Sequence, residues 1–167
     1  MAYDNNEGAL NSGRLAGHLG TAERHYLLGA ELAQAAEYER AVAEMTRALQ
    51  LQPNLHTARL QLGLLYLTLG QPAQSLATWQ PLDALDPQAY LRLFKEGLEA
   101  LIRDDFVRCV ALLEAGIRAN TQNAPLNQDM GRLISKARAA TSQRKPAQPP
   151  APGGADEVRS DFSLYDQ

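Results

Sequence analysis

Residues 22–55, AERHYLLGAELAQAAEYERAVAEMTRALQLQPNL, carry the reading that decides the fold. The next 34 residues, HTARLQLGLLYLTLGQPAQSLATWQPLDALDPQA (56–89), place Gly63 opposite Gly29, Leu62 opposite Leu28 and Pro87 opposite Pro53. A third stretch, 90–123, keeps Gly97 in the same register. Self-similarity at a fixed period marks a repeat architecture, in which a single unit cannot bury all of its apolar surface and stacks on its neighbours. Within a unit, small residues such as Gly29, Ala41 and Ala48 let two helices approach closely, and large ones such as Met45 or Trp79 fill the space beside them. The period predicts an all-α chain of helical hairpins.

These positions resemble those of the tetratricopeptide repeat family, whose unit is two antiparallel helices with small residues at their crossing and a closing proline. In the first unit Leu28, Gly29 and Leu32 match the first helix, and Tyr38, Ala41, Met45, Ala48 and Pro53 match the second helix and exit. The second unit matches through Leu62, Gly63, Tyr66, Gly70, Trp79 and Pro87, but has Ser75 and Leu82 where the family prefers alanine. The third keeps Gly97, Ala100, Phe106 and Leu113, with Glu96 for leucine, Cys109 and Gly116 for the alanines and Thr121 for the proline. The resemblance implies a right-handed solenoid of three hairpins (22–55, 56–89 and 90–123).

A stacked repeat needs a last helix with one polar side. Pro125 to Ser142 fits, with Leu126, Met130, Leu133, Ile134 and Ala137 on one stripe and Asn127, Gln128, Arg132 and Lys136 largely outside it. Thr21, Asn54 and Asp86 suit helix caps, Pro72 and Pro87 suit first turns, and one of Asp104 and Asp105 suits a cap. Pro81 interrupts the second hairpin's second helix, where it removes one backbone bond and crowds the Ala77 carbonyl at a cost of about 3 kcal/mol, so a kink or early break is expected there.

The expected organisation is a flexible segment 1–20, the repeat domain 21–142 and a tail 143–167. Leu15 to Leu19 is short enough to add at most a brief extra helix. Beyond Ser142, RKPAQPPAPGGADEVRS reads as a linker, and the final DFSLYDQ sets Phe162, Leu164 and Tyr165 among acids as a short docking motif.

A net charge of -3 gives no broad cationic surface, which weighs against nucleic acid and anionic membrane as partners. The single cysteine, Cys109, excludes an internal disulfide and fits a cytoplasmic setting. The N-terminal sequence lacks the basic start and apolar run of a secretory signal, and the most apolar stretch, Leu60 to Leu69, is too short and too interrupted to span a membrane. His18, His25 and His56 lack metal-ligand spacing, and no HExxH, GxSxG, Walker or GxGxxG pattern occurs. The expectation is a protein without catalytic residues, cofactor or metal.

The resemblance further implies a partner segment bound along the first helices of the hairpins. Transferring the family's groove positions gives Tyr26, Ala30 and Gln34, then Leu60, Leu64 and Thr68, then Leu91, Phe94, Leu98 and Ile102. The carboxylate clamp of some family members is mostly absent, because Tyr26, Ala30 and Gln61 stand at three of its positions; Lys95 keeps one cation, with Arg92 and Arg59 nearby. A protein or peptide partner is expected, captured by an adaptor or chaperone-like module. The alternatives are self-assembly and an accessory subunit of an enzyme complex. Size, three hairpins and an apolar groove are also similar in architecture to the type III secretion chaperones of bacterial translocators.

Overall fold

The computed structural model describes residues 20–143. Among them are seven α-helices and no strand: α1 (Thr21–Gln34), α2 (Tyr38–Leu51), α3 (His56–Thr68), α4 (Pro72–Trp79), α5 (Tyr90–Ile102), α6 (Phe106–Ala119) and α7 (Ala124–Gln143). A 3-10 turn, Gln80–Ala84, follows α4. The described chain forms two compact units, residues 20–58 and 59–143, which divide in the first turn of α3. The possible helix at Leu15 to Leu19, His18, the linker and the Phe162, Leu164 and Tyr165 motif lie outside the described residues.

In the first unit α1 and α2 form a hairpin. Ala41, Met45 and Ala48 recur at helical spacing and give α2 its buried stripe, while α1 contributes Ala22, Gly29, Leu32 and Ala33. Gly29 sits so close to α2 that a Cβ there would meet Met45 Cγ at 2.7 Å and the Ala41 carbonyl at 3.2 Å. His25 Nδ1 and Glu44 Oε2, 2.6 Å apart, tie the two helices at the edge of that seam.

The second unit holds two further hairpins and α7 around one apolar cluster that runs from Leu60 and Trp79 to Ala137. Gly63 lies against the Trp79 indole, and Gly97 lies 2.7 Å, measured from a Cβ built on it, from Leu113 Cδ2. Each of the three glycines thus opposes the residue sixteen places on, and only absence of a side chain permits the approach. Trp79 is fully buried and donates from Nε1 to the Leu60 carbonyl at 2.9 Å. Ser75, in the place of an alanine, donates its hydroxyl to the Gly63 carbonyl at 2.8 Å, so its burial leaves no polar group unsatisfied.

The turns repeat as closely as the seams. Ala36, Gly70 and Asp104, spaced 34 apart, are the described residues with positive φ (57°, 71° and 58°). Behind each, a bond spanning five residues closes the first helix: Glu37 to the Leu32 carbonyl, Gln71 to Tyr66 and Asp105 to Ala100, at 2.8–2.9 Å. This left-handed termination satisfies carbonyls that would otherwise face a tight turn unpaired.

The break expected at Pro81 is present. α4 runs eight residues where α2 and α6 run fourteen, and the chain continues as the 3-10 turn with Leu82 still fully buried. α7 buries all five residues of its expected stripe. Its entry is sealed by Asn120, 4% exposed, whose Oδ1 accepts from Asn123 N and whose Nδ2 donates to Asn127 Oδ1 at 2.8 Å. The caps differ in part from expectation. Gly20 rather than Thr21 precedes α1, and Asp86 closes a turn onto Gln88 N that includes Pro87, upstream of α5. Pro72 occupies the first turn of α4 and Asp105 caps α6 by accepting from Arg108 N, as their side chains dictate.

Candidate interaction surface

The residues expected to line a groove divide by helix. On α1, Tyr26 and Ala30 are half-buried and Gln34 is exposed. On α3, Leu60 and Leu64 are buried in the core and Thr68 is half-buried. On α5, Leu91, Phe94 and Leu98 belong to the core cluster, and Ile102 packs against it half-buried. Leu60, Leu64, Leu91, Phe94 and Leu98 are therefore packing residues rather than an open apolar lining. For Phe94 the cause is specific: its ring occupies the place that a Cβ at Gly116 would take and meets the Tyr90 ring edge-on at a centroid distance of 5.8 Å. Phe94 fills the volume that an alanine methyl at position 116 would need, so only glycine fits there.

Lys95, expected as a remaining anion contact, is also consumed internally. It is 5% exposed, with Nζ at 2.8 Å from Asp83 Oδ1 and 2.7 Å from Glu99 Oε1. Arg92 Nε pairs with Glu96 at 2.7 Å, and its guanidinium also reaches the carboxylate and carbonyl of Asp83. Burial alone would lower the Lys95 pKa, but its bonds to Asp83 and Glu99 outweigh burial and raise it. The same bond from Lys95 holds the Asp83 carboxyl below the ordinary carboxylate range. This network fastens the 3-10 turn created by Pro81 to α5.

Elsewhere the chemistry is quiet. Cys109 is fully buried, and desolvation together with the charge of Asp105 pushes its thiol up to about 12, far from a nucleophile's range. Among the described residues no group of three or more His, Cys, Asp and Glu is placed to hold a metal ion. No described helix is long and apolar enough to cross a membrane.

The accessible apolar surface that sequence reasoning missed lies on α1. Leu27 and Leu28 are 43% and 42% exposed, although the repeat register assigns Leu28 to packing. Exposed Arg24 and Glu31 flank them on the same helix face. The signal was in the sequence: positions 24, 27, 28 and 31 form one stripe at helical spacing, opposite the narrow stripe of Ala22, Gly29 and Ala33. Val107, at 74%, is the most exposed large apolar side chain described. No protein-family model matches the chain, and no curated protein matches it.

Proposed function

We propose that this chain is a non-catalytic protein-interaction module of the tetratricopeptide type, its three hairpins and α7 forming a right-handed solenoid that binds a segment of a partner protein. The observation that carries this reading is the 34-residue conformational repeat, in which Gly29, Gly63 and Gly97 face the same helix-crossing register. Ala36, Gly70 and Asp104 take the same left-handed turn. The second observation is independent of side-chain resemblance, because alanine, glycine and aspartate share one backbone conformation there.

With Leu60, Leu64, Leu91, Phe94 and Leu98 in the core, partner contact falls to the remaining members of the expected set, Tyr26, Ala30 and Gln34 on α1 together with half-buried Thr68 and Ile102. Tyrosine suits such a role, since it offers a large amphipathic surface with little entropy to lose. The test is capture from native lysate by the full chain and by a Tyr26→Ala/Gln34→Ala variant. The variant should keep its helicity and lose the captured protein. Undiminished capture would move the binding surface elsewhere, and absence of any captured protein would remove the adaptor reading.

A further inference from the structure

The outward face of α6 joins an apolar strip to two cations. Val107 and Ala111 are exposed and Ala115 is half-buried, and their spacing of four residues aligns them on the side opposite Cys109, Leu113 and Gly116. Arg108 and Arg118 border the strip with exposed guanidiniums that no described carboxylate meets. The neighbouring acids are engaged: Asp105 accepts from Arg108 N, and Glu114 holds Arg138 at 2.6 Å.

The chain's own sequence supplies a complement to this face. Residues 161–166, DFSLYD, set Phe162, Leu164 and Tyr165 between Asp161 and Asp166. Ten residues separate the two arginines on α6, about 15 Å along the axis and within a quarter turn around it. Five extended steps from Asp161 to Asp166 cover about 16 Å. The apolar side chains of the segment then fall between its acids as Ala111 and Ala115 fall between the arginines, with Val107 beside Arg108. The segment also starts from the right place. α6 and α7 are joined by residues 120–123 and crossed by the Glu114–Arg138 pair, so they run antiparallel, and the last turn of α7 lies where α6 begins. Nineteen steps lead from Gln143 to Phe162, which as a linker span about 22–26 Å, while the fourteen residues of α6 are about 21 Å long.

We infer that residues 161–166 dock on the outward face of α6 of the same chain, Phe162 and Leu164 against Val107 and Ala111, and the two acids against Arg108 and Arg118. Tethering gives the segment an effective concentration on the order of millimolar, so contacts too weak to hold a separate peptide suffice. Docked, it covers the most exposed large apolar side chain described, and any other protein using this face has to displace it.

The test compares amide spectra of the full chain and of Phe162→Ser/Leu164→Ser, with no partner added. Amides of Val107, Ala111 and Ala115 should move, those of α5 should stay, and the difference should persist on tenfold dilution. In an Arg108→Glu/Arg118→Glu background the docking constant should fall about tenfold, and the serine pair should leave the same amides nearly unmoved. Adding Asp161→Arg/Asp166→Arg should bring the response back, which no purely structural role of the arginines would do. Unmoved α6 amides in the parent overturn the inference, as does a response that the charge reversals leave intact. A response confined to other helices also overturns it, assigning the segment to another surface. One that vanishes on dilution does the same, because the segment then comes from a second copy.

Discussion

Replacing Gly63 with alanine adds one methyl group where the structure has room for none. A Cβ at that position would lie 2.6 Å from Trp79 Cδ1 and closer still to Nε1. Both indole and helix are in the core, so the ring must shift, and its bond to the Leu60 carbonyl goes with it. Overpacking costs about 1–3 kcal/mol and the lost bond about 1 kcal/mol, against about 1 kcal/mol gained because alanine favours a helix over glycine. The net loss is about 1–3 kcal/mol, or a fall in Tm of about 2–12 °C for a chain of this size. Trp79 is the only tryptophan, so its emission reports the displacement directly, shifting to the red as the indole leaves its pocket. Gly29→Ala and Gly97→Ala should each do less harm than Gly63→Ala: at Gly29 the methyl meets Met45 Cγ at 2.7 Å with the Ala41 carbonyl at 3.2 Å, and at Gly97 it meets only side-chain atoms, Leu113 Cδ2 at 2.7 Å and Cγ at 3.0 Å. A Gly63→Ala protein that melts with the parent and keeps its emission maximum would refute the seam as described.

Backbone and charge offer further checks. Ala36→Gly should raise stability by about 0.5–1 kcal/mol in thermal melts, since φ of 57° strains an L-residue, and Gly70→Ala should lower it by about 1 kcal/mol. Gly131→Ala should stabilise by about 1 kcal/mol, because nothing lies within 4 Å of the added methyl in mid-helix. Asp83→Asn should cost less than about 1 kcal/mol at neutral pH, its carboxylate being 46% exposed. The folded pKa of Asp83 lies below its unfolded value, so its contribution is present above about pH 4 and lost as pH falls further; urea titrations of parent and variant should converge in acid. Phe94→Ser/Leu98→Ser should unfold the second unit, read as lost ellipticity, whereas a groove lining would tolerate both changes.

The hairpins and the closing helix were legible because close helix crossings demand small residues, and Gly29, Gly63 and Gly97 advertise the period. The break at Pro81 was legible for a similar reason, since proline lacks the donor that a helix requires. The groove was not. α5 buries eight of its thirteen residues, among them Leu91, Phe94 and Leu98, whereas α1 buries four of fourteen. Register alone does not distinguish a first helix that buries most of its surface from one that buries a single narrow stripe. Lys95 was unreadable for another reason: its partner Asp83 is twelve residues upstream and comes within reach only because the chain leaves the α-helix at Pro81. The left-handed residue between paired helices was hidden because only Gly70 declares itself, while Ala36 and Asp104 are unusual choices there.

The 3-10 turn at Gln80–Ala84 also sets how the second unit opens. Its bonds are shorter-range and poorer in geometry than those of the flanking helices, so its amides should exchange with deuterium before those of α5 and α6. What restrains it is chiefly Leu82 in the core and the charges of Arg92, Lys95 and Asp83 at its edge. Salt weakens the second restraint and leaves the first nearly untouched. Ionic strength therefore tunes the breathing of this one segment: protection at residues 82–85 falls as salt rises, while the helices on either side keep theirs.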